Sequence, residues 1–281
     1  MSGRRRNRAD RPHTGSPAKQ ISVVVYSPGG SLLALGTSTG VTLLDPQTGA
    51  VAARLAGGAM TDSLAFSPNG RMIAADSTSG VTVWDLPSGR PRTVERDPHE
   101  GGTILFSHDG RLLIVGGTDA VVHVYDVAGG QLVHRIVDPG EQSQSWPEVL
   151  ALSPDGSELA VGAPTLEGAE GTVSIFSTTT WAERSVVASL PQVEIFSLAF
   201  SPDGSRLAIG SEDGTAGVWS VPTHERLVTY DGPTAAVTAM AFTPDGKSAL
   251  SASNDGIARI WRAGGASQAF LTFPGSIYQA R

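Results

Sequence analysis

The chain has 281 residues and a net charge of −7, with 34 glycines, 18 prolines and no cysteine. The many turn-forming residues favour short strands over long helices, and the absence of cysteine excludes disulfides, thiolate metal sites and cysteine nucleophiles. No apolar run approaches the roughly 18 residues of a membrane-spanning helix, and a chain without cysteine fits a reducing, cytoplasmic compartment.

Residues 1–20 differ in charge from the rest of the chain. Their charged residues are almost all basic, namely Arg4, Arg5, Arg6, Arg8, Arg11 and Lys19 against Asp10. The segment therefore carries +5, which leaves −12 on the remaining residues. It lacks apolar periodicity, which predicts a disordered basic tail, and no apolar segment of a signal peptide follows the arginines. The tail could contact nucleic acid weakly through phosphates, but specific recognition is not expected because no aromatic residues interleave with the arginines.

From residue 21 onward the sequence repeats. A turn of the type Ser-Pro-Asp-Gly follows an aromatic or aliphatic residue in six places, at spacings of 40, 40, 46, 48 and 42 residues. The six turns begin at Ser27, Ser67, Ser107, Ser153, Ser201 and Thr243. Asp-Gly steps of this kind place a tight reversal between two strands. A nearly fixed period of this length indicates one structural unit copied six times.

Each repeat contains two further strands after the turn. The third strand ends on a bulky residue in every copy, at Leu44, Trp84, Tyr125, Phe176, Trp219 and Trp261. A fourth apolar segment follows, as at Arg226 to Tyr230. Four strands per repeat predict an all-β propeller of six four-stranded blades over residues 21–275, with a short tail at 276–281. Near-continuous apolar runs such as Leu112 to Val115 fit strands that are buried on both faces.

The pattern resembles the WD-repeat β-propeller family over residues 21 to about 273. The residues that carry the resemblance are Ser253-Asn254-Asp255-Gly256 leading to Trp261, Ser211-Glu212-Asp213-Gly214 leading to Trp219, and the pair Trp84-Asp85. The resemblance implies a non-catalytic scaffold that binds proteins on its loop faces as a subunit of a larger assembly. Two alternatives stay open, a propeller enzyme of the hydrolase or lactonase type with a site at the central channel, and an accessory sensor subunit whose ring a partner completes.

The chain departs from the hydrogen-bonded tetrad of His, Asp, Ser or Thr, and Trp that the family carries. The Asp position is kept as Asp119, Asp213 and Asp255, with Glu170 as a longer stand-in, but the His positions hold Gly57, Asp97, Pro191 and Pro233. The hydroxyl position is kept as Ser251 and is Val115 or Ile209 elsewhere. Because paired loss of polar partners can be nearly neutral, we expect apolar packing in these blades.

The remaining tetrad residues follow from this expectation. Asp119 and Asp213 are expected to face solvent, whereas Ser251 and Asp255 could still bond locally. The bulky residues Trp84, Tyr125, Trp219 and Trp261 are interpreted as core residues.

Ring closure is a separate question, since the family most often has seven blades and borrows a closing strand from the N-terminus. Residues 15–20 are too polar for such a strand. A six-bladed ring is the favoured prediction, with a seven-bladed ring or an open ring completed by a partner as alternatives.

The fourth repeat carries the candidate site. The connection into it, residues 138–148, and its turn at residues 163–171 are both expanded, and such connections emerge on one face of a propeller. They bring together the partner-binding candidates Trp146, Glu141, Glu148, Glu167 and Glu170, with Met60, Glu100 and Glu194 at equivalent positions of other repeats. An exposed Trp among carboxylates suits a basic protein segment. The alternative is that Trp146 folds back as a lid on its blade.

Catalytic and metal motifs are missing. The six histidines show no close pair with metal-ligand spacing, and no nucleophile elbow or phosphate-binding glycine loop occurs. A carboxylate ring could bind Ca²⁺, but no segment has the alternating ligands of a calcium loop. No cofactor, metal or catalytic residue is therefore predicted.

Overall fold

In a computed structural model, the described residues are 21–57, 60–77, 79–94, 102–117, 121–137, 149–162, 170–191, 193–264 and 273–274. They form strands without helices, in six four-stranded antiparallel sheets. The prediction of an all-β propeller with six four-stranded blades is thereby confirmed. Both predicted tails lie outside the described residues.

The blades follow one another along the chain, each with its strands in sequence order. Blade 1 contains β1 (Ile21–Tyr26), β2 (Leu33–Thr37), β3 (Gly40–Leu44) and β4 (Val51–Ala56). Blade 2 contains β5 (Thr61–Phe66), β6 (Met72–Ser77), β7 (Thr82–Asp85) and β8 (Arg90–Thr93). Blade 3 contains β9 (Ile104–Phe106), β10 (Leu112–Gly116), β11 (Val121–Asp126) and β12 (Leu132–Val137).

The second half of the chain repeats this order. Blade 4 contains β13 (Val149–Leu152), β14 (Glu158–Gly162), β15 (Glu170–Ser177) and β16 (Glu183–Pro191). Blade 5 contains β17 (Ile195–Phe200), β18 (Arg206–Ser211), β19 (Ala216–Ser220) and β20 (Arg226–Tyr230). Blade 6 contains β21 (Val237–Phe242), β22 (Ser248–Ser253), β23 (Ile257–Arg262) and β24 (Phe273–Pro274).

The turn between the first and second strands explains the repeated tetrapeptide. In blade 5, Gly204 N donates to Ser201 O at 2.8 Å, and Gly204 has a φ of +72°, which favours glycine. Ser201 Oγ donates to Asp203 Oδ1 at 2.5 Å and accepts from Arg206 N at 3.0 Å, while Ser205 N donates to the same carboxylate at 3.1 Å. The serine hydroxyl and the carboxylate thus satisfy backbone and side-chain donors that the reversal would otherwise leave open.

The turn between the third and fourth strands has its own cap. Asp45 Oδ1 accepts from Gln47 N at 2.8 Å and from Thr48 N at 3.0 Å, and Asp85 Oδ1 accepts from Ser88 N at 3.0 Å. The Asp of the Trp84-Asp85 pair therefore terminates a strand and shapes the following turn.

Glycine in the second strand lets neighbouring blades approach closely. A Cβ on Gly210 would lie 2.7 Å from Val237 Cγ1 and 3.0 Å from Met240 Cγ, both on the inner strand of blade 6. A Cβ on Gly162 would lie 3.0 Å from Ile195 Cγ2 of blade 5. Any side chain at these positions would push the next inner strand outward.

Apolar clusters fill the boundaries between consecutive blades. Five clusters of buried side chains join blade 1 to 2, 2 to 3, 3 to 4, 4 to 5, and 5 to 6. The cluster between blades 4 and 5, for example, combines Ile175 with Ile195 and Trp219. Among the described residues, no such cluster joins blade 6 to blade 1.

Replacing Gly210 by Ala should destabilise the protein, because the added methyl group meets Val237 and Met240. We expect a loss of about 1–3 kcal/mol in the free energy of unfolding, as in other overpacked cores. Chemical denaturation measures it. Gly29→Ala is the matched control, since a Cβ there meets nothing within 4 Å. Equal stability of the two variants would contradict tight packing at Gly210.

Acid should weaken the fold through the turn carboxylates. The hydroxyl of Ser153 and the backbone N–H and hydroxyl of Ser157 lower the pKa of Asp155 to about 2, and the equivalent groups at Ser201 and Ser205 lower the pKa of Asp203 to about 2. A depressed carboxyl pKa contributes stability above the unfolded value of about 3.9, and this is lost as the pH falls toward 2.

The double variant Asp155→Asn, Asp203→Asn keeps the acceptor oxygens but cannot titrate. Blade 2 uses this solution already, because Ser67 Oγ donates to Asn69 Oδ1 at 2.8 Å. The melting temperature, measured from pH 5 to pH 2, should fall less steeply for this variant than for the parent chain. Parallel curves would show that these two turns do not set the acid response.

Candidate interaction face

Two sets of connections lie together on one face of the propeller. They are the links between blades and the turns between second and third strands, and backbone groups tie them to one another. Glu212 N donates to Glu194 O at 2.9 Å in blade 5, and Asn254 N donates to Ala236 O at 2.9 Å in blade 6. Ser79 Oγ donates to Gly57 O at 3.4 Å in blade 2. We call this side the loop face.

The loop face carries two adjacent carboxylates at blade 5. Glu194 is half-buried immediately before β17, and Glu212 is exposed in the turn after β18. Burial, and secondarily the Glu212 carboxylate, raise the pKa of Glu194. No basic side chain of the described residues lies within salt-bridge distance of either group. The pair is therefore a place where a cation from outside would relieve repulsion.

Several residues predicted for this face lie outside the described residues, namely Glu100, Glu141, Trp146, Glu148 and Glu167. Glu170 begins β15 and pairs with Pro191 of β16, which precedes Glu194 by three residues. Met60 precedes β5 and is 45% exposed. The structure thus brings the positions of Glu170, Glu194 and Glu212 to the boundary of blades 4 and 5, and places Met60 at the start of blade 2.

The tetrad residues of blade 6 are arranged differently from the prediction. The carboxylate of Asp255 binds Arg259 at 2.8 Å, and both side chains are at most 8% exposed. Asp255 also accepts from Thr234 N and from Ile257 N, each at 3.0 Å. Although burial opposes ionisation, these bonds and the Arg259 charge lower the pKa of Asp255 to about 2.

The suggestion of a local bond between Ser251 and Asp255 is wrong. Ser251 Oγ and Trp261 Nε1 are buried and have no hydrogen-bond partner. Arg259 binds the Asp255 carboxylate instead. It lies on the same side of β23 as Trp261, and its side chain, longer than that of Ser251, reaches the turn. Asp213 is exposed as expected and accepts from Ser211 Oγ at 2.8 Å and from Thr215 N at 2.8 Å. Asp119 lies outside the described residues.

The bulky residues at the ends of the third strands belong to the apolar clusters. Trp84, Tyr125, Trp219 and Trp261 are all buried. Trp261 stacks on Tyr230 of blade 5 with ring centroids 5.2 Å apart. These rings hold blades together and are not available to a ligand.

The candidates predicted from the sequence do not include Glu212 or Arg259. Glu212 has no local signal, because its apposition to Glu194 depends on the contact of a link between blades with a turn. Arg259 had a readable signal, since it stands four residues after Asp255 and two before Trp261. That spacing places a cation on the buried side of the strand beside a carboxylate.

The opposite end of blades 5 and 6 carries a shallow cleft with a basic lining. Arg206, Lys247 and Arg262 contribute to it together with Asp245. The Arg206 guanidinium lies 5.5 Å from the centroid of the Phe242 ring and donates to Gly246 O at 2.8 Å. Arg206 therefore acts as a brace between the two blades.

Among the described residues, no three His, Cys, Asp or Glu side chains are grouped as metal ligands would be. The same part of the chain contains no helix of the length and apolar character needed to cross a membrane.

Comparisons with known proteins agree with the repeat pattern. The family model described as WD domain, G-beta repeat matches residues 97–126, 185–220 and 224–262. Each matched segment finishes at the last residue of a third strand, in blades 3, 5 and 6. These are the repeats that carry an Asp six residues before the aromatic residue. No curated protein sequence matches the chain significantly.

Among solved structures, the chain is similar to Kuenenia stuttgartiensis hydrazine synthase. The TM-score is 0.72 at 17% sequence identity, over 92% of this chain and 80% of that one. At this identity the likeness concerns the fold alone. Together the repeat matches and the fold support a WD-repeat β-propeller family.

Removing the Asp255 carboxylate should be costly, because it leaves the Arg259 charge buried without its partner. We expect Asp255→Ala to lose about 3–5 kcal/mol of unfolding free energy. The equivalent exposed residue provides the control, and Asp213→Ala should lose only about 1 kcal/mol through its turn bonds. The double variant Asp255→Leu, Arg259→Met should recover most of the loss. Equal effects of the two single variants would show that the Asp255–Arg259 pair is not a buried brace.

Proposed function

We propose that this WD-repeat β-propeller is a non-catalytic interaction platform that binds a basic segment of a protein partner on its loop face. The observation that carries the proposal is the adjacent pair Glu194 and Glu212, held together by the bond from Glu212 N to Glu194 O at 2.9 Å. The raised pKa of Glu194 reflects burial and the neighbouring charge. The two negative charges repel each other in the free protein, and a bound cation would relieve this repulsion.

Position on the propeller supports the same proposal. Glu194 immediately precedes β17 and Glu212 immediately follows β18, at the boundary of blades 4 and 5, and the first residue of β15, Glu170, pairs with Pro191 three residues before Glu194. The sequence prediction adds Trp146, in the connection into the fourth repeat, as an aromatic anchor for the same partner. The acidic charge of the body, −12 without the basic tail, would steer such a partner toward it.

The proposed role is a scaffold within a larger assembly, and the absence of cysteine fits a cytoplasmic setting.

A labelled peptide of eight alternating Lys and Ala residues is a suitable probe, with fluorescence anisotropy as the measurement. Glu194→Gln and Glu212→Gln should each weaken binding about threefold to tenfold, as expected for one partly exposed charge contact. Glu225→Gln removes the same charge from the opposite face of blade 5, where Glu225 is exposed, and should leave affinity unchanged. Equal losses in all three variants would show that only overall charge matters.

The affinity for this probe should also depend on pH in a defined direction. The complex favours ionised Glu194, whereas in the free protein burial and Glu212 raise its pKa. Affinity should therefore increase as the pH rises through the raised pKa, above the ordinary value of about 4.3. In Glu194→Gln this part of the pH dependence should disappear. A pH profile unchanged by the substitution would contradict the role of Glu194.

Trp146 supplies a separate test of the apolar anchor. If it contacts the partner, Trp146→Ala should weaken binding of a peptide that adds a Leu beside the Lys residues, with the melting temperature unchanged. A lower melting temperature with unchanged affinity would show instead that Trp146 covers its own blade.

A further inference from the structure

The boundary after blade 6 differs from the other five. The side of each blade that packs on the following blade, here called the leaving face, is centred on one residue of the second strand and one of the third. In blades 1 to 5 these residues are buried, namely Ala34, Ala74, Ile114, Ala160 and Ala208, with Leu43, Val83, Val124, Ile175 and Val218. In blade 6 the equivalent Leu250 and Ile260 are only half-buried, and Ala241 beside them is exposed.

The opposite side of blade 1 shows the same difference. The side that packs on the preceding blade, here called the entering face, includes the residue two before the end of the first strand. In blades 2 to 6 this residue is at most 8% exposed, as Leu64, Ile104, Leu150, Leu198 and Met240. In blade 1 it is Val24, which is 43% exposed, and Tyr26 at the strand end is 60% exposed.

Blade 6 lacks the glycine or aspartate that the other blades place beside the inner strand of the next blade. Blades 1, 3, 4 and 5 place Gly36, Gly116, Gly162 and Gly210 opposite the inner strand. Blade 2 places Asp76 there, which accepts from Gly102 N of blade 3 at 2.9 Å. Blade 6 has Ala252 at this position, and it is half-buried.

Two of the filled boundaries also have a polar link between inner strands. Ser63 Oγ accepts from Ile104 N of blade 3 at 3.3 Å, and Ser197 Oγ accepts from Met240 N of blade 6 at 2.8 Å. Blade 6 has Ala239 at this position, as blades 1 and 4 have Val23 and Val149, so a boundary to blade 1 would rest on apolar packing alone.

We propose that the boundary between blade 6 and blade 1 is an open binding position for a β-sheet that a partner polypeptide supplies as a seventh blade. Every filled boundary among the described residues joins one leaving face to one entering face, and the open position presents one of each. The occupant must be a sheet with apolar side chains on both faces. This surface is distinct from the loop face and its acidic pair.

Two other occupants fit the observations less well. Residues 1–20 carry a charge of +5 and no alternating apolar residues, so they do not supply the two apolar faces. A second copy of the chain would bring another strongly acidic body, with −12 outside the basic tail, against the first.

The first experiment measures whether the position is open in the full chain. Because the chain has no cysteine, spin labels can be placed on the pair Tyr26→Cys, Ala241→Cys and on the equivalent filled pair Phe242→Cys, Ala199→Cys. Packed sheets are about 10 Å apart, so the open pair should measure about 20 Å and the filled pair about half of that. The same short distance in both pairs would overturn the proposal by showing a closed ring.

The second experiment supplies a blade of defined chemistry. A copy of residues 193–230 is fused through a flexible linker after residue 281, and the thiol of Tyr26→Cys is titrated with a maleimide. The labelling rate should fall about tenfold or more relative to the unfused chain, as local protection predicts. A matched copy with Ser at Leu198, Ile209 and Trp219, which lie on its entering face, should give no protection.

Each remaining outcome contradicts the proposed occupant. A fused blade that leaves the thiol fully reactive, folded or unfolded, would show that the position does not accept a sheet. Protection that grows with concentration of the unfused chain would assign the position to a second copy. Reactivity that rises on deleting residues 1–20 would assign it to the tail.

Discussion

A four-stranded sheet with two apolar faces gains stability by packing against neighbouring sheets, and this constraint governs the whole molecule. It explains why the second strands carry Gly36, Gly162 and Gly210, since a Cβ at each of these positions would lie within 3.0 Å of the inner strand of the next blade. It explains the burial of Trp84, Trp219 and Trp261 between blades. Stability in such a series is close to a sum of blade and boundary contributions.

The turns at the two ends of each blade are built for a different requirement. Serine and aspartate side chains satisfy the backbone groups exposed by each reversal, so turn structure accounts for the repeated tetrapeptide. Other carboxylates have different surroundings. Glu194 and Glu212 meet without a counter-charge from the described residues, and Asp255 turns inward to Arg259 while Asp213 remains outside.

Much of the fold could be predicted from the sequence because it is repeated. Six copies of one turn at a nearly constant spacing specify the number of blades and the direction of every strand. The buried pair Asp255–Arg259 does not follow from the family tetrad, which has no arginine, although the spacing from Asp255 to Arg259 to Trp261 is compatible with it. The apposition of Glu194 and Glu212 depends on the contact of two loops and has no signal in local periodicity.

Among the described residues, boundary packing is missing only between blades 6 and 1, which makes these two blades terminal units with one packed neighbour each. Native-state hydrogen exchange of the full chain tests this most directly. Amides of β2 and β22 should exchange through openings of lower free energy than those of β10 and β14, because the terminal blades lack one boundary. Uniform protection of all four strands would contradict the account, since a closed ring gives every blade two neighbours.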